Sequence, residues 1–182
     1  MKVTASDVPD VLVLEPAVWK DARGTFQETF NHRAFAQILG TETAFVQDNL
    51  SHSVRGVLRG LHYQLAPHAQ GKLVCVLQGE IWDVAVDLRM TSPSFGKWVG
   101  HRLTANAHQQ LWIPPGFAHG FVVLSESADV FYKTTAYYAP QSDRGIAWND
   151  PDLAIQWPDL GMDFVLSDKD QRQSAFRDAD VF

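Results

Sequence analysis

A chain of 182 residues is long enough for one domain with a substantial core, and 46% hydrophobic against 20% charged residues is ordinary for a globular protein. Its formal net charge of -6 excludes a general basic field for nucleic acid or anionic lipid, so an anionic ligand has to be caught by local arginines and lysines. The single cysteine, Cys75, excludes an intrachain disulfide framework, and no apolar stretch nears the ~18 residues of a membrane span or follows a basic leader; one cytoplasmic domain over residues 1–182 is expected.

Along the chain, the first clear element is a helix. Asn31 can cap it, Ala34, Phe35, Ile38 and Leu39 give it an apolar face, and Gly40 stops it. The run Leu73 to Leu77 reads as a core strand, with Cys75 as a small buried residue. Trp82, Val84, Val86 and Leu88 alternate with Asp83, Ala85 and Asp87, the pattern of a half-buried strand. Trp112-Ile113 and Phe121 to Leu124 form two more strands on either side of the turn Pro114-Pro115-Gly116. Val130 to Tyr138, rich in aromatic and β-branched residues, reads as another strand. Beyond Trp157 the pattern is irregular, with one short helix starting near Ser167. Turn residues are spread evenly, at Pro9-Asp10, Asp21 to Gly24, Gln78-Gly79, Ser92 to Ser94 and Ala139-Pro140. Many short strands with such turns predict an all-β jelly-roll sandwich or barrel with a few short helices.

Three segments place unlike polar groups inside apolar strand sequence. They are Arg59 to Gln64 followed by Lys72, Pro114 to Phe121, and Tyr132-Lys133 with Tyr137 and Tyr138 beyond. Taken singly, each has a bland alternative. His62 reads as a hydrogen-bonded core histidine, Lys72 as a solvated strand end, and Tyr132 as aromatic packing. The Pro-Gly-x-x-His turn ending at His119 resembles the second motif of cupins, small β-barrels that often bind metal. A metal cupin carries histidines at i and i+2 and then a glutamate. Here the stretch is His62-Tyr63-Gln64, and Pro67-His68-Ala69-Gln70 supplies no glutamate. Only His62 and His119 remain, short of the three or four ligands a site needs, so a cupin-type barrel with no metal and no cofactor is expected.

Taken together the motifs resemble the dTDP-4-dehydrorhamnose 3,5-epimerase family, from about Asp21 to Asp170. The carriers are Asp21-x-Arg23-Gly24-x-Phe26-x-Glu28, Gln47-Asp48-Asn49-x-Ser51, Leu58 to Gln64, Lys72-Leu73-Val74, Asp83 to Arg89 and Ser94 to Trp98. They continue through Pro114 to Phe121, Tyr132-Lys133-Thr134, Trp148 to Pro151 and Ser167 to Asp170. The resemblance implies His62 as base, Tyr132 as acid, Asp170 as the partner of His62, and Lys72 against charge developing on O-4 of a 4-keto sugar. That division of labour suits the chemistry. A C-4 ketone acidifies the hydrogens at C-3 and C-5, and inversion needs a base and an acid on opposite faces. It further implies that Arg23 and Arg59 hold phosphate, and that Glu28, Gln47, Asn49, His119, Asp143 and Lys169 bind nucleotide or sugar. Tyr138 would stack on thymine. The implied assembly is a homodimer with exchanged N-terminal strands, Arg23 and Glu28 completing the neighbour's site.

The expected activity is inversion of C-3 and C-5 in dTDP-4-dehydro-6-deoxy-D-glucose, giving dTDP-4-dehydro-L-rhamnose. Rivals are a mono-epimerase acting at one carbon, a metal-dependent cupin isomerase or oxygenase, and a non-catalytic sugar-nucleotide-binding cupin. Asp170 carries its own alternative, as part of a helix cap with Ser167.

Overall fold

The computed structural model describes all residues, 1–182. The strands in chain order are β1 (Lys2–Ala5), β2 (Leu12–Glu15), β3 (Val18–Asp21), β4 (Gly24–Gln27), β5 (Gln47–Val54), β6 (Leu58–Gln64), β7 (Lys72–Gln78), β8 (Glu80–Asp87), β9 (Trp98–Thr104), β10 (Gln110–Ile113), β11 (Phe117–Val123), β12 (Ser127–Thr134) and β13 (Asp143–Gly145). Two α-helices, α1 (His32–Leu39) and α2 (Asp168–Gln171), accompany them. A six-stranded sheet ordered β1-β2-β10-β7-β12-β5 faces a five-stranded sheet ordered β13-β6-β11-β8-β9. This is the expected all-β jelly-roll sandwich. The Pro114-Pro115-Gly116 turn carries the chain from one sheet to the other, because β10 and β11 lie in different layers.

Both predicted helices form, for local reasons. The Asn31 side chain accepts from the Ala34 N–H, and Gly40 closes α1 in the left-handed region at φ 68°. Ser167 caps α2 by accepting from the Asp170 N–H.

The sandwich interior is an apolar cluster that includes Val74, Val76, Ile81, Ala85, Phe117 and Phe121. A second cluster, with Val84, Val86 and Leu88, covers the outer face of the five-stranded sheet under C-terminal residues such as Trp157 and Phe182. The outer face of the other sheet is half covered: Phe35 of α1 packs on Leu14, Leu73 and Trp112, while Leu50 and Leu77 stay exposed.

Three sequence expectations change here. The alternation in β8 is not half-buried, since Asp83 and Asp87 are buried. They share the inward face with Ile81 and Ala85, while the Val84–Val86 face is covered from outside. The aromatic strand stops at Thr134, leaving Tyr137 and Tyr138 in the following loop. Cys75 is half-buried on the outward face of β7 rather than in the core, and burial still pushes its thiol up to about 11.

Strands β3 and β4 form a separate two-stranded hairpin joined to neither sheet. Its Trp19 and Phe26 stack on each other with ring centres 5.9 Å apart, both exposed.

Candidate active site

The two sheets part at one end into a cavity of about 140 Å³, lined by His62, Gln64 and Asp143 from the five-stranded sheet and by Lys72 and Tyr132 from the other. Tyr138, Gln70 and Lys169 line it from loops and α2. A larger groove of about 680 Å³ runs between α1 and the Pro114–Pro115 turn, but no histidine or tyrosine faces it. The acid–base groups converge only in the smaller space.

The strand register aims them there. His62 lies opposite His119 across the β6–β11 ladder, which shifts register just beyond, between His119 and Phe121. At that bulge β6 and β11 come unusually close: a Cβ on Gly120 would sit 2.7 Å from the Arg59 carbonyl oxygen. Bulges of this kind re-aim the neighbouring side chain. Across the gap, Tyr132 of β12 is flanked by Asn49 and Val74.

His62 Nε2 is 2.5 Å from Asp170 Oδ1. Burial alone would raise the Asp170 carboxyl, but the hydrogen bonds from His62 and Ser167 prevail and hold it below the usual carboxylate range. An ionised carboxylate only accepts, so Nε2 donates to it, and in the neutral ring the lone pair is on Nδ1. Ser167 Oγ also donates to Asp170 Oδ2 at 2.7 Å and accepts from the Asp170 N–H at 3.1 Å. Asp170 is thus bonded at once to the capping Ser167 and to His62.

Lys72 is buried, and its Nζ donates to the His62 carbonyl at 3.2 Å. Burial pulls the amine down to about 8, with Asp83 and Asp143 pulling the other way. At neutral pH it is still mainly an ammonium. Burial raises the Tyr132 phenol above its ordinary value, with Arg59 opposing, so the hydroxyl keeps its proton. The cavity thus joins an imidazole anchored through Nε2, a protonated phenol and a desolvated ammonium.

A family model described as dTDP-4-dehydrorhamnose 3,5-epimerase matches residues 5–178 of the chain. The chain belongs to that family. A Pseudomonas aeruginosa protein named dTDP-4-dehydrorhamnose 3,5-epimerase is 57% identical over 182 residues, spanning 100% of this chain and 99% of its own. A Legionella pneumophila structure, described as a dTDP-6-deoxy-D-glucose-3,5-epimerase in complex with dTDP-4-keto-L-rhamnose, matches with a TM-score of 0.94 at 48% identity, covering 98% of this chain and 94% of that one. A 3'-monoepimerase from Streptomyces bikiniensis in complex with dTDP-quinovose stands further off, with a TM-score of 0.88 at 32% identity over 94% of this chain and 86% of that one.

The other residues that the epimerase-family resemblance singled out are placed unevenly. Asp143 Oδ2 receives Lys169 Nζ at 2.5 Å and the Tyr138 hydroxyl at 3.1 Å, so these three form one cluster at the mouth. Gln47 donates to Asn49 Oδ1 at 2.9 Å and accepts from the Tyr138 N–H at 3.0 Å. The Asn49 amide nitrogen is buried without a partner. Arg59 donates through Nε to Ser53 Oγ at 3.0 Å, and its charge reaches Tyr132. His119, the cross-strand neighbour of His62, is buried and does not line the cavity, with Nε2 2.9 and 3.0 Å from the two Asp83 oxygens. Burial lowers its pKa, so the ring is neutral. Arg23 and Glu28 are not brought to this cavity: Arg23 pairs with Asp21 in the hairpin, and Glu28 accepts from Asn31.

No group of three or more His, Cys, Asp or Glu side chains is arranged to hold a metal ion. His62 and His119 each turn Nε2 to a separate carboxylate instead. Two residues of the site escaped the sequence reading. Asp83 reads in sequence as one side of an ordinary alternation. Gln64 stands in the sequence as a motif residue and a missing metal ligand with no role of its own, whereas its amide is fully used inside the protein. The missed signal was a carboxylate in a strand whose two faces both needed covering.

Proposed function

We propose that this chain inverts C-3 and C-5 of dTDP-4-dehydro-6-deoxy-D-glucose, giving dTDP-4-dehydro-L-rhamnose. The observation that carries the reading is that His62 and Tyr132 stand on opposite sheets around one cavity with the buried Lys72 beside them. In each half-reaction His62 Nδ1 takes the proton from the carbon next to the ketone, and the C–H pair becomes an enolate. The Lys72 ammonium stabilises the charge on O-4. The Tyr132 hydroxyl then returns a proton to the other face of that carbon, inverting it. Each event moves protons only, and between the two His62 passes its gained proton to water while the Tyr132 phenolate regains one from water, so no redox partner is needed.

Inversion of both carbons is favoured over one because 57% identity to a protein named a 3,5-epimerase exceeds the 32% to a 3'-monoepimerase. The test is turnover of dTDP-4-dehydro-6-deoxyglucose in deuterated water. Deuterium at both C-3 and C-5 of the product is expected; label at one carbon would favour the mono-epimerase, and retention of both original hydrogens would remove the mechanism.

The working unit is read as a cytoplasmic homodimer of single-domain protomers. Support comes from the detached β3–β4 hairpin, its exposed Trp19–Phe26 pair, and the open edge of β5. An unpaired strand edge invites addition of another strand. A partner's hairpin along β5 would bring its Arg23 and Glu28 towards Gln47, Asn49 and Arg59, where diphosphate charge needs neutralising. No helix of the chain is long and apolar enough to cross a membrane.

A further inference from the structure

Gln64 stands two residues after His62 on β6, so both side chains leave the strand on the same face. It is 3% exposed, and its amide is fully engaged. Nε2 donates to the carbonyls of His68 at 2.7 Å and Tyr137 at 3.1 Å, while Oε1 accepts from the Ala139 N–H at 2.7 Å. A primary amide has two N–H donors, and here both are spent on main chain. The contacts to Tyr137 and Ala139 bracket Tyr138.

Tyr138 itself is held from the opposite sheet, where its N–H donates to Gln47 Oε1 at 3.0 Å. Its side chain is 56% exposed, so packing alone does not fix the ring. Its hydroxyl meets Asp143 at the cavity mouth. An exposed ring on a loop is thus fastened at three consecutive residues by two glutamines, one on each sheet.

We infer that Gln64 is a positioning residue: it sets Tyr138 as a rigid stacking platform for the nucleobase and ties that platform to the strand carrying His62. The inference rests on the proposed nucleotide-binding role of Tyr138. It also gives a positive reason for glutamine at this place. Only a side chain that donates twice and accepts once can hold two carbonyls and an N–H together.

The experiment is a double-mutant cycle on the intact protein, measuring dTDP affinity by calorimetry alongside steady-state kinetics. Gln64→Leu is expected to weaken dTDP binding about tenfold and to raise KM similarly, with kcat within about threefold of wild type. In a Tyr138→Ala background the same change should alter dTDP affinity by less than about twofold. Gln64→Glu, of equal size, keeps the acceptor and loses both donations. It should move affinity in the same direction and serves as the second variant if the leucine chain does not fold. Equal losses in both backgrounds would overturn the inference, because Gln64 would then act on the fold in general. Wild-type dTDP affinity in Gln64→Leu would overturn it directly. Undiminished dTDP affinity in Tyr138→Ala alone would remove the platform reading, and this inference with it.

Discussion

The histidines of two histidine–carboxylate pairs stand side by side across the β6–β11 ladder, on the same face of the sheet, and the pairs differ in one respect. The His62 side chain is 32% exposed and Asp170 5%, whereas His119 is 8% exposed and Asp83 is completely covered. Both histidines turn Nε2 to their carboxylate. In the first pair the other ring nitrogen belongs to a residue lining the cavity; in the second the whole ring is sealed between strands. On the proposed mechanism, reach rather than pairing with an aspartate marks the base. A buried pair can hold shape and charge, while proton transfer from carbon needs a nitrogen within touching distance of the substrate.

The sharpest way to break this contrast is to remove each histidine in turn. His62→Ala should lower kcat by about 10³-fold or more while the melting temperature moves little, since removal of a central proton carrier costs at least the 10²–10⁴-fold of general base catalysis. His119→Ala should act mainly on stability and KM. Equal kcat losses in the two variants would show that reach was the wrong criterion. Next in size is Asp170→Asn, for which a loss of about 10²-fold is expected. An asparagine can present its N–H₂ to the ring, so His62 takes the other tautomer and Nδ1 loses its lone pair. Retention of near-native rate would mean that Asp170 serves the α2 cap alone.

The helix α1 was legible because its signals are local: Asn31 and Gly40 act within one turn of the residues they cap. The strands flanking Pro114–Gly116 were legible for the same reason. The site was legible only through motifs read together. His62, Lys72 and Tyr132 come from three strands in two sheets, and no spacing along the chain reports that they meet. Periodicity misled where a second layer intervened. In β8 it separated apolar from acidic residues correctly but could not say which side was wet, because residues near the C-terminus cover the side that would have faced water. Composition misled at Tyr137 and Tyr138. Aromatic residues favour strands, yet here the ladder ends at Thr134, whose hydroxyl donates to the Ala136 carbonyl as the chain turns away.

Lys72 sits beside both pairs and sharpens the contrast through pH. Its amine is pulled down to about 8 by burial, and the cationic form is the one that stabilises an enolate oxygen. Activity should therefore fall as pH rises through about 8, by about tenfold per unit once Lys72 is mostly neutral. The groups acting on that amine are Asp83 of β8, Asp143 of β13 and Lys169 of α2. A pH–rate profile that stays flat to pH 10 in the wild type would dismiss Lys72 as the charge donor.

The smallest expected effect concerns Asp83. Asp83→Leu leaves the buried His119 N–H without an acceptor, a cost of about 1–3 kcal/mol, or roughly 2–4 °C of melting temperature per kcal/mol in a chain of this size. It also deletes the strongest charge that counters burial at Lys72. The sign follows: with the anion gone the ammonium is less favoured, so Lys72 releases its proton at a lower pH and the alkaline fall in rate moves to lower pH. Asp170→Leu would lose more rate at neutral pH but should leave that alkaline limb in place, because Asp170 is not among the charges acting on Lys72. Measuring melting temperature and the alkaline limb together in the two variants separates the pairs by what each controls. If Asp83→Leu melts like wild type and keeps its alkaline limb, the sealed pair neither braces the wall nor holds the lysine's charge.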